Sequence, residues 1–239
     1  MTHCRLPWPA PLLSTVLALP LLLTACSSDD AEPTTPTTSG DASPDDRRAG
    51  APVPDITLPG APEGFTVTSP GTVLSVGEPA SVATRAETYD DQPHGLQFWR
   101  VTAQPSHDVP AGDIALENTD AAEIDHFVCI NYDVEFLGWD TASGIGGDTQ
   151  VARPTMSPVD GNGQRANFVV MGGDNECGVD EADRLPFDAT ALEQGRIYRG
   201  AALSYVTTDG SGISPAGAMF SFGLDVAPEL SASDNICWH

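Results

Sequence analysis

The sequence predicts an all-β protein, an antiparallel two-layer sandwich carried behind a disordered N-terminal tether. Three observations predict it. Apolar and polar residues alternate with period two in most runs beyond residue 70, the pattern of a strand with one buried and one wet face. Gly and Pro make up 44 of the 239 residues, 23 and 21 respectively, too many for long helices and well suited to turns. Residues 27–62 hold seven Pro and seven acids, with only Val53, Ile56 and Leu58 as large aliphatics. Such a stretch buries too little apolar surface to offset the entropy of ordering it.

Residues 1–25 read as a secretory signal. Arg5 supplies its positive charge, and Pro11-Leu-Leu-Ser-Thr-Val-Leu-Ala-Leu-Pro-Leu-Leu-Leu23 its apolar stretch. That stretch is too short and too interrupted by Pro for a comfortable membrane span. It ends in Leu23-Thr24-Ala25-Cys26, a run that resembles a bacterial lipobox. The resemblance implies cleavage after Ala25 and a diacylglyceryl group, with palmitate-type acyl chains, on the Cys26 sulfur. Two or more chains anchor a protein stably where one does not. The expected location is therefore the extracellular face of the cell membrane. Cleavage removes Arg5 and no acid, so the formal charge of −24 becomes −25. Anionic head groups repel such a chain, and the lipid alone would hold it there. Residues 26–63 are the expected tether, a spacer of roughly 30–35 Å if it behaves as a coil. Residues 64–239 then form one domain with room for a sizeable core.

The strands follow in order. Candidates lie at residues 72–76, 81–88, 96–104 and 114–117. A central strand places Val128, Ile130, Tyr132, Val134 and Phe136 on one face, with Cys129, Asn131, Asp133 and Glu135 on the other. Asp160-Gly-Asn-Gly163 reads as a hairpin turn joining residues 156–159 to a strand at 164–171. Residues 196–208 put Ile197, Ala201, Leu203 and Tyr205 on one face, and residues 218–226 alternate likewise. The one helical candidate, residues 189–194, is short and closed by Gly195. About eight strands without a long helix point to a β-sandwich of immunoglobulin type.

Several runs also carry a family likeness. They are Val73-Leu-Ser-Val-Gly-Glu-Pro-Ala80, Leu96-Gln-Phe-Trp-Arg-Val-Thr102 and Phe127-Val-Cys-Ile-Asn-Tyr-Asp-Val-Glu-Phe136. Leu192-Glu-Gln-Gly-Arg196 follows, leading into Gly200-Ala-Ala-Leu-Ser-Tyr-Val206. In order and turns, residues 70–226 resemble the immunoglobulin-like, telokin-like domains of secreted and lipid-anchored proteins from high-GC Gram-positive bacteria. Most of those domains have no known function, and some are secreted antigens. One departure is the glycine-rich Leu137-Gly-Trp-Asp-Thr-Ala-Ser-Gly-Ile-Gly-Gly147 where the family has an Asn-Gly turn. The resemblance carries no catalytic residues.

Five Cys are present. Cys4 leaves with the signal and Cys26 is assigned to lipid. Cys129, Cys177 and Cys237 remain for an oxidising exterior, which allows one bridge. Cys129–Cys177 is favoured, because it pins an acidic loop to the central strand. Cys177–Cys237, stapling the C-terminal tail, is the alternative.

Charge and motifs narrow the function. All ten bases are Arg, against 34 acids, so nucleic acid is excluded as a partner for want of a basic patch. Asp174, Glu176, Asp180, Glu181 and Asp183 could hold Ca²⁺ or form a solvated loop. A copper or zinc site could use Cys237 and His239 of the tail. No Gly-x-Ser-x-Gly, His-Glu-x-x-His, Ser-x-x-Lys or P-loop pattern occurs, and no enzyme activity or cofactor is expected. The expected function is binding, with an envelope or extracellular protein or a wall polymer as partner. The candidate surface is the loop at residues 138–147, where Trp139 is either an exposed contact or a ring packed over the sandwich edge. The rival is a lipoprotein that captures a solute or a Ca or Cu ion, with a secreted hydrolase third.

Overall fold

The computed structural model describes residues 56–87, 93–115, 121–140, 149–170, 173–223, 226 and 235–239. Cys26 and residues 141–148 of the glycine-rich loop lie outside them. Among the described residues nine strands are present: β1 Val73–Leu74, β2 Pro79–Glu87, β3 Pro93–Ala103, β4 His107–Pro110, β5 Ile124–Trp139, β6 Met156–Val159, β7 Ile197–Thr207, β8 Gly217–Phe220 and β9 Ile236–Trp238. Among the described residues the one α-helix, α1, is the single turn Gly173–Glu176.

The strands form the two layers that the alternation predicts. The smaller sheet runs β1-β9-β8-β6, and the larger runs β2-β3-β5-β4 with β7 also on β5. Every pairing is antiparallel except β1 with β9, which is parallel. Strand β7 pairs with β5 over residues 124–135, overlapping the registers of both β3 and β4. It therefore occupies the opposite side of β5 and is an edge strand.

The main core lies between the layers. Trp99, Val101, Tyr132, Val134, Phe136 and Tyr198 of the larger sheet meet Met156, Phe220, Ile236 and Trp238 of the smaller. The polar atoms of the core's large side chains are matched, as an apolar interior requires, whereas Asn131 Oδ1, Glu176 Oε2 and both His239 ring nitrogens are buried without a hydrogen-bond partner. The Trp99 indole donates to Thr84 Oγ1 at 2.8 Å and the Trp238 indole to Glu78 O at 2.8 Å. Gln97, fully buried, donates to Gln150 O and accepts from Ala152 N, clamping the chain that leads to β6.

The larger sheet is covered on its other face too, where alternation predicts solvent. Leu58 and Val67 pack on Ala83, Leu96 and Phe98. Ile56, Leu58 and Ala61, which composition assigns to the tether, thus belong to the folded body. At the far end of the same face, Cys177 closes over Phe127, Cys129 and Leu203.

Several strands differ from expectation. The described residues at 114–115 are not strand, and that segment's strand is β4, seven residues earlier. Residues 164–170 make isolated bridges, Arg165 with Val159 and Val169 with Leu203, rather than a continuous strand. Strand β8 stops at Phe220, and β9 forms in a tail read as a terminus. The helical candidate is a 3-10 turn, Ala189–Ala191, capped by the Asp188 carboxylate on Thr190 N.

Candidate functional site

The site is built along the outer edge of β7. Alternate residues of an edge strand turn N–H and C=O away from the sheet, and these need partners. Residues 165–184 cross this edge and supply them. Asn167 donates to Tyr205 O, Val169 N donates to Leu203 O, and Asp174 Oδ1 accepts from Ala201 N at 2.8 Å. Arg184 and Arg199 form a parallel bridge further along. The Cys129–Cys177 disulfide, with Cα atoms 5.5 Å apart, ties the crossing segment to β5. The favoured pairing is thus the one present, and Cys177–Cys237 is excluded by it. Cys237, buried with Val159 and Met219 in the smaller sheet, is itself disulfide-bonded, which corrects the expectation of a single bridge.

Three cavities lie where the segment crosses. The first, about 300 Å³, is bounded by Tyr132, Arg153, Asp174, Arg184, Arg199 and Gly200. A second, about 260 Å³, lies against Asn131, Asp133, Cys177 and Val179 and shares Arg199 and Gly200 with the first. The third, about 570 Å³, shares Arg153 and Arg184 with the first and extends to Arg196 and Tyr198. Gly200 is required here by close approach. A Cβ on it would lie 2.6 Å from Cζ of Tyr132, its cross-strand partner. Burial pushes the Tyr132 phenol far above its ordinary range, and the nearby Asp174 charge adds to the effect. The ring is therefore a neutral wall at any physiological pH.

The arginines are held by backbone carbonyls as much as by acids. Arg153 donates to Leu185 O, and its other amino group lies 3.9 Å from Asp174. Arg184 donates twice to Val179 O, at 3.0 and 2.6 Å. Arg199 lies 3.7 Å from Asp133 and 3.5 Å from Asp183. Arg196 binds Glu193 and Ala182 O and sits over the Tyr198 ring at 5.0 Å. Apolar side chains flank the same crossing. Val170 lines the first cavity and is 81% exposed, while Phe187 and Ile197, each one residue from the third cavity's lining, are 62% and 57% exposed.

The other sequence candidates fall elsewhere. Trp139 is not displayed. A bulge sets Leu137 and Gly138 against Phe98, with Gly138 at φ 147°. The extra residue reverses the alternation, so Trp139 turns inward and packs edge-on against Phe136. Of the acids from Asp174 to Asp183, Asp174 accepts from Ala201 N and lies 3.9 Å from Arg153, Asp183 lies 3.5 Å from Arg199, and Glu176 keeps a buried carboxylate oxygen without a hydrogen-bond partner. Among the described residues no three His, Cys, Asp or Glu side chains gather as a metal site. Asp160 binds the amides of Asn162 and Gln164 within its own turn, as the hairpin reading expects. His126 contacts Asp125, and His239 is packed at the end of β9.

Sequence reasoning missed the arginine cluster, because no linear motif carries it. Its one trace is compositional: five of the chain's ten bases fall between residues 153 and 199. Comparison with protein-family models, curated proteins and solved structures finds no match in any of the three.

Proposed function

We propose that the chain is a lipid-anchored binding module of the cell envelope, tethered through Cys26 to the extracellular face of the membrane. In this reading it works by holding an envelope or extracellular partner and not by catalysis. The observation that carries the reading is the β7-edge face. There a disulfide-tied crossing segment brings together Arg153, Arg184, Arg196 and Arg199 with Val170, Phe187 and Ile197. Arginine and large apolar side chains on a rigid frame are the composition of protein contact surfaces. This face replaces the glycine-rich loop as the candidate surface, since Trp139 is half-buried and packed against Phe136.

The test is capture from envelope extract by the full chain in detergent. The expected result is one partner that is retained by the unaltered chain and lost by a Val170→Glu, Phe187→Glu double variant. Unchanged capture by that variant refutes the face. The anchor is tested separately by mass spectrometry of the mature N-terminus. A diacylglyceryl thioether on Cys26 is expected, and an unmodified sulfur refutes it. The rival reading as a solute-capturing lipoprotein gains one specific observation, the Arg184 guanidinium of the first cavity, which has no carboxylate partner among the described residues and suits an anion better than Ca²⁺ or Cu²⁺.

A further inference from the structure

We infer that the cavity between Arg153, Arg184 and Arg199 is a binding site for a small oxyanion, a phosphate or a carboxylate carried by the ligand. The inference deepens the reading of the β7-edge face as the binding surface and rests on it. The first argument is charge. Three guanidinium groups and one carboxylate, Asp174, line this cavity; Asp174 lies 3.9 Å from Arg153, and Asp133 and Asp183 lie 3.7 and 3.5 Å from Arg199, so the charge in excess of acid partners is that of Arg184, in a chain whose formal charge is −24. A concave site focuses its own field, so such an excess attracts anions even when the molecule as a whole repels them.

The second argument is valence. A guanidinium has five N–H donors in a fixed fork that matches carboxylate and phosphate oxygens. Arg184 directs two of its nitrogens at one backbone oxygen, Val179 O, and among the described residues no carboxylate lies within ion-pair distance of it. Its terminal Nη1 group has no protein partner among the described residues, and Arg184 lines the cavity. Arg153 and Arg199 have acids only at 3.5 Å or beyond, long enough for an incoming oxyanion to compete.

The third argument is preorganisation. Val179 O, which holds Arg184, belongs to the segment that the disulfide ties to β5, and Val179 N in turn donates to Asp174 O at 2.9 Å. The fork is thus set before any ligand arrives, which lowers the cost of binding. A cavity of about 300 Å³ lies at the small end of ligand sites. It suits the charged group itself, while the larger cavity sharing Arg153 and Arg184 receives the rest of the ligand.

The test is calorimetric titration of the full chain in detergent with inorganic phosphate, with glutarate and with glycerol as the uncharged control. Saturable binding of phosphate, glutarate or both is expected, weakening as sodium chloride is added, with none for glycerol. Binding of one anion alone assigns the oxyanion. Arg184→Gln and Arg153→Gln should each weaken binding at least tenfold, Arg184→Lys less, and Arg165→Gln, outside the cavity, not at all. A melting curve on each variant separates lost binding from lost folding, and Arg153→Gln serves if Arg184→Gln does not fold. The inference is overturned if neither anion binds at millimolar concentration, or if Arg184→Gln and Arg153→Gln bind as the parent does. Partner capture that persists when neither anion binds sinks the oxyanion and leaves the docking face standing. Capture insensitive to Val170→Glu, Phe187→Glu sinks the face itself.

Discussion

Removing the Cys129–Cys177 bridge tests the architecture of the site most directly. The bridge closes a loop of sequence separation 48, for which the chain-entropy model gives about 4 kcal/mol at 25 °C. Replacing both with Ala also withdraws two sulfurs from the cluster of Ile114, Phe127 and Leu203, adding roughly 1 kcal/mol each. Cys129→Ala, Cys177→Ala should therefore lower stability by about 5–6 kcal/mol, a fall in Tm of roughly 10–20 °C for a body of this size. Guanidinium and thermal unfolding measure the fall. Hydrogen exchange should show where it acts, with protection lost first at the amides of residues 173–183 and at Ala201, which depends on Asp174. A Tm change below about 4 °C, or exchange spread evenly over both sheets, would refute the view that the bridge holds the crossing segment in place.

Other outcomes follow from the same geometry. Gly200→Ala should cost about 1–3 kcal/mol in denaturant unfolding, because the new Cβ would lie 2.6 Å from the buried Tyr132 ring and force it to shift; a neutral substitution counts against that packing. Gln97→Leu should cost about 1–3 kcal/mol, since it strands Gln150 O and Ala152 N without partners, and a stabilised variant would contradict it. Burial holds the His239 imidazole below its ordinary pKa, although the Asp160 charge opposes the shift. The unfolded chain thus takes up the proton first, so this contribution is complete above the ordinary value of 6.5 and is lost as pH falls through the folded value. The stability difference between the parent and His239→Gln should move in the parent's disfavour between pH 7 and pH 5, and a flat difference would be the contrary result.

The parts legible in the sequence are those where one physical rule acts alone. Strands β3 and β5 declare themselves because each sets apolar residues against the core, whereas on β7 the face read as apolar, Ile197, Ala201, Leu203 and Tyr205, lies away from the main core, which takes Tyr198 and Ala202; the Cys129–Cys177 pairing follows from few partners and a loop that needs pinning. Strand β9 is silent because Ile236, Cys237 and Trp238 are all buried. A strand enclosed between β1 and β8 has no wet face to produce alternation. Strand β4 is silent for the opposite reason, being mostly exposed and polar. Trp139 shows how one inserted residue defeats parity: the bulge at Gly138 is a backbone event, and a period-two reading carried past it points the ring the wrong way. The arginine cavity is the least legible feature. Arg153, Arg184 and Arg199 come from three separate segments, and only the chain's path over β7 brings them together.

That path has a consequence for life at high density. A lipid tether would crowd many copies into a thin layer, where an open strand edge invites one sandwich to zip onto the next and seed fibrils. Along β7 an incoming strand would have to offer a carbonyl to Ala201 N and would meet a carboxylate instead. It would also find Ala201 O hemmed in by Gly173, at a spot where even a methyl group would not fit. The acid that helps shape the cavity thereby doubles as a stopper against self-association, and replacing Asp174 should show first as turbidity on standing, before any change in melting.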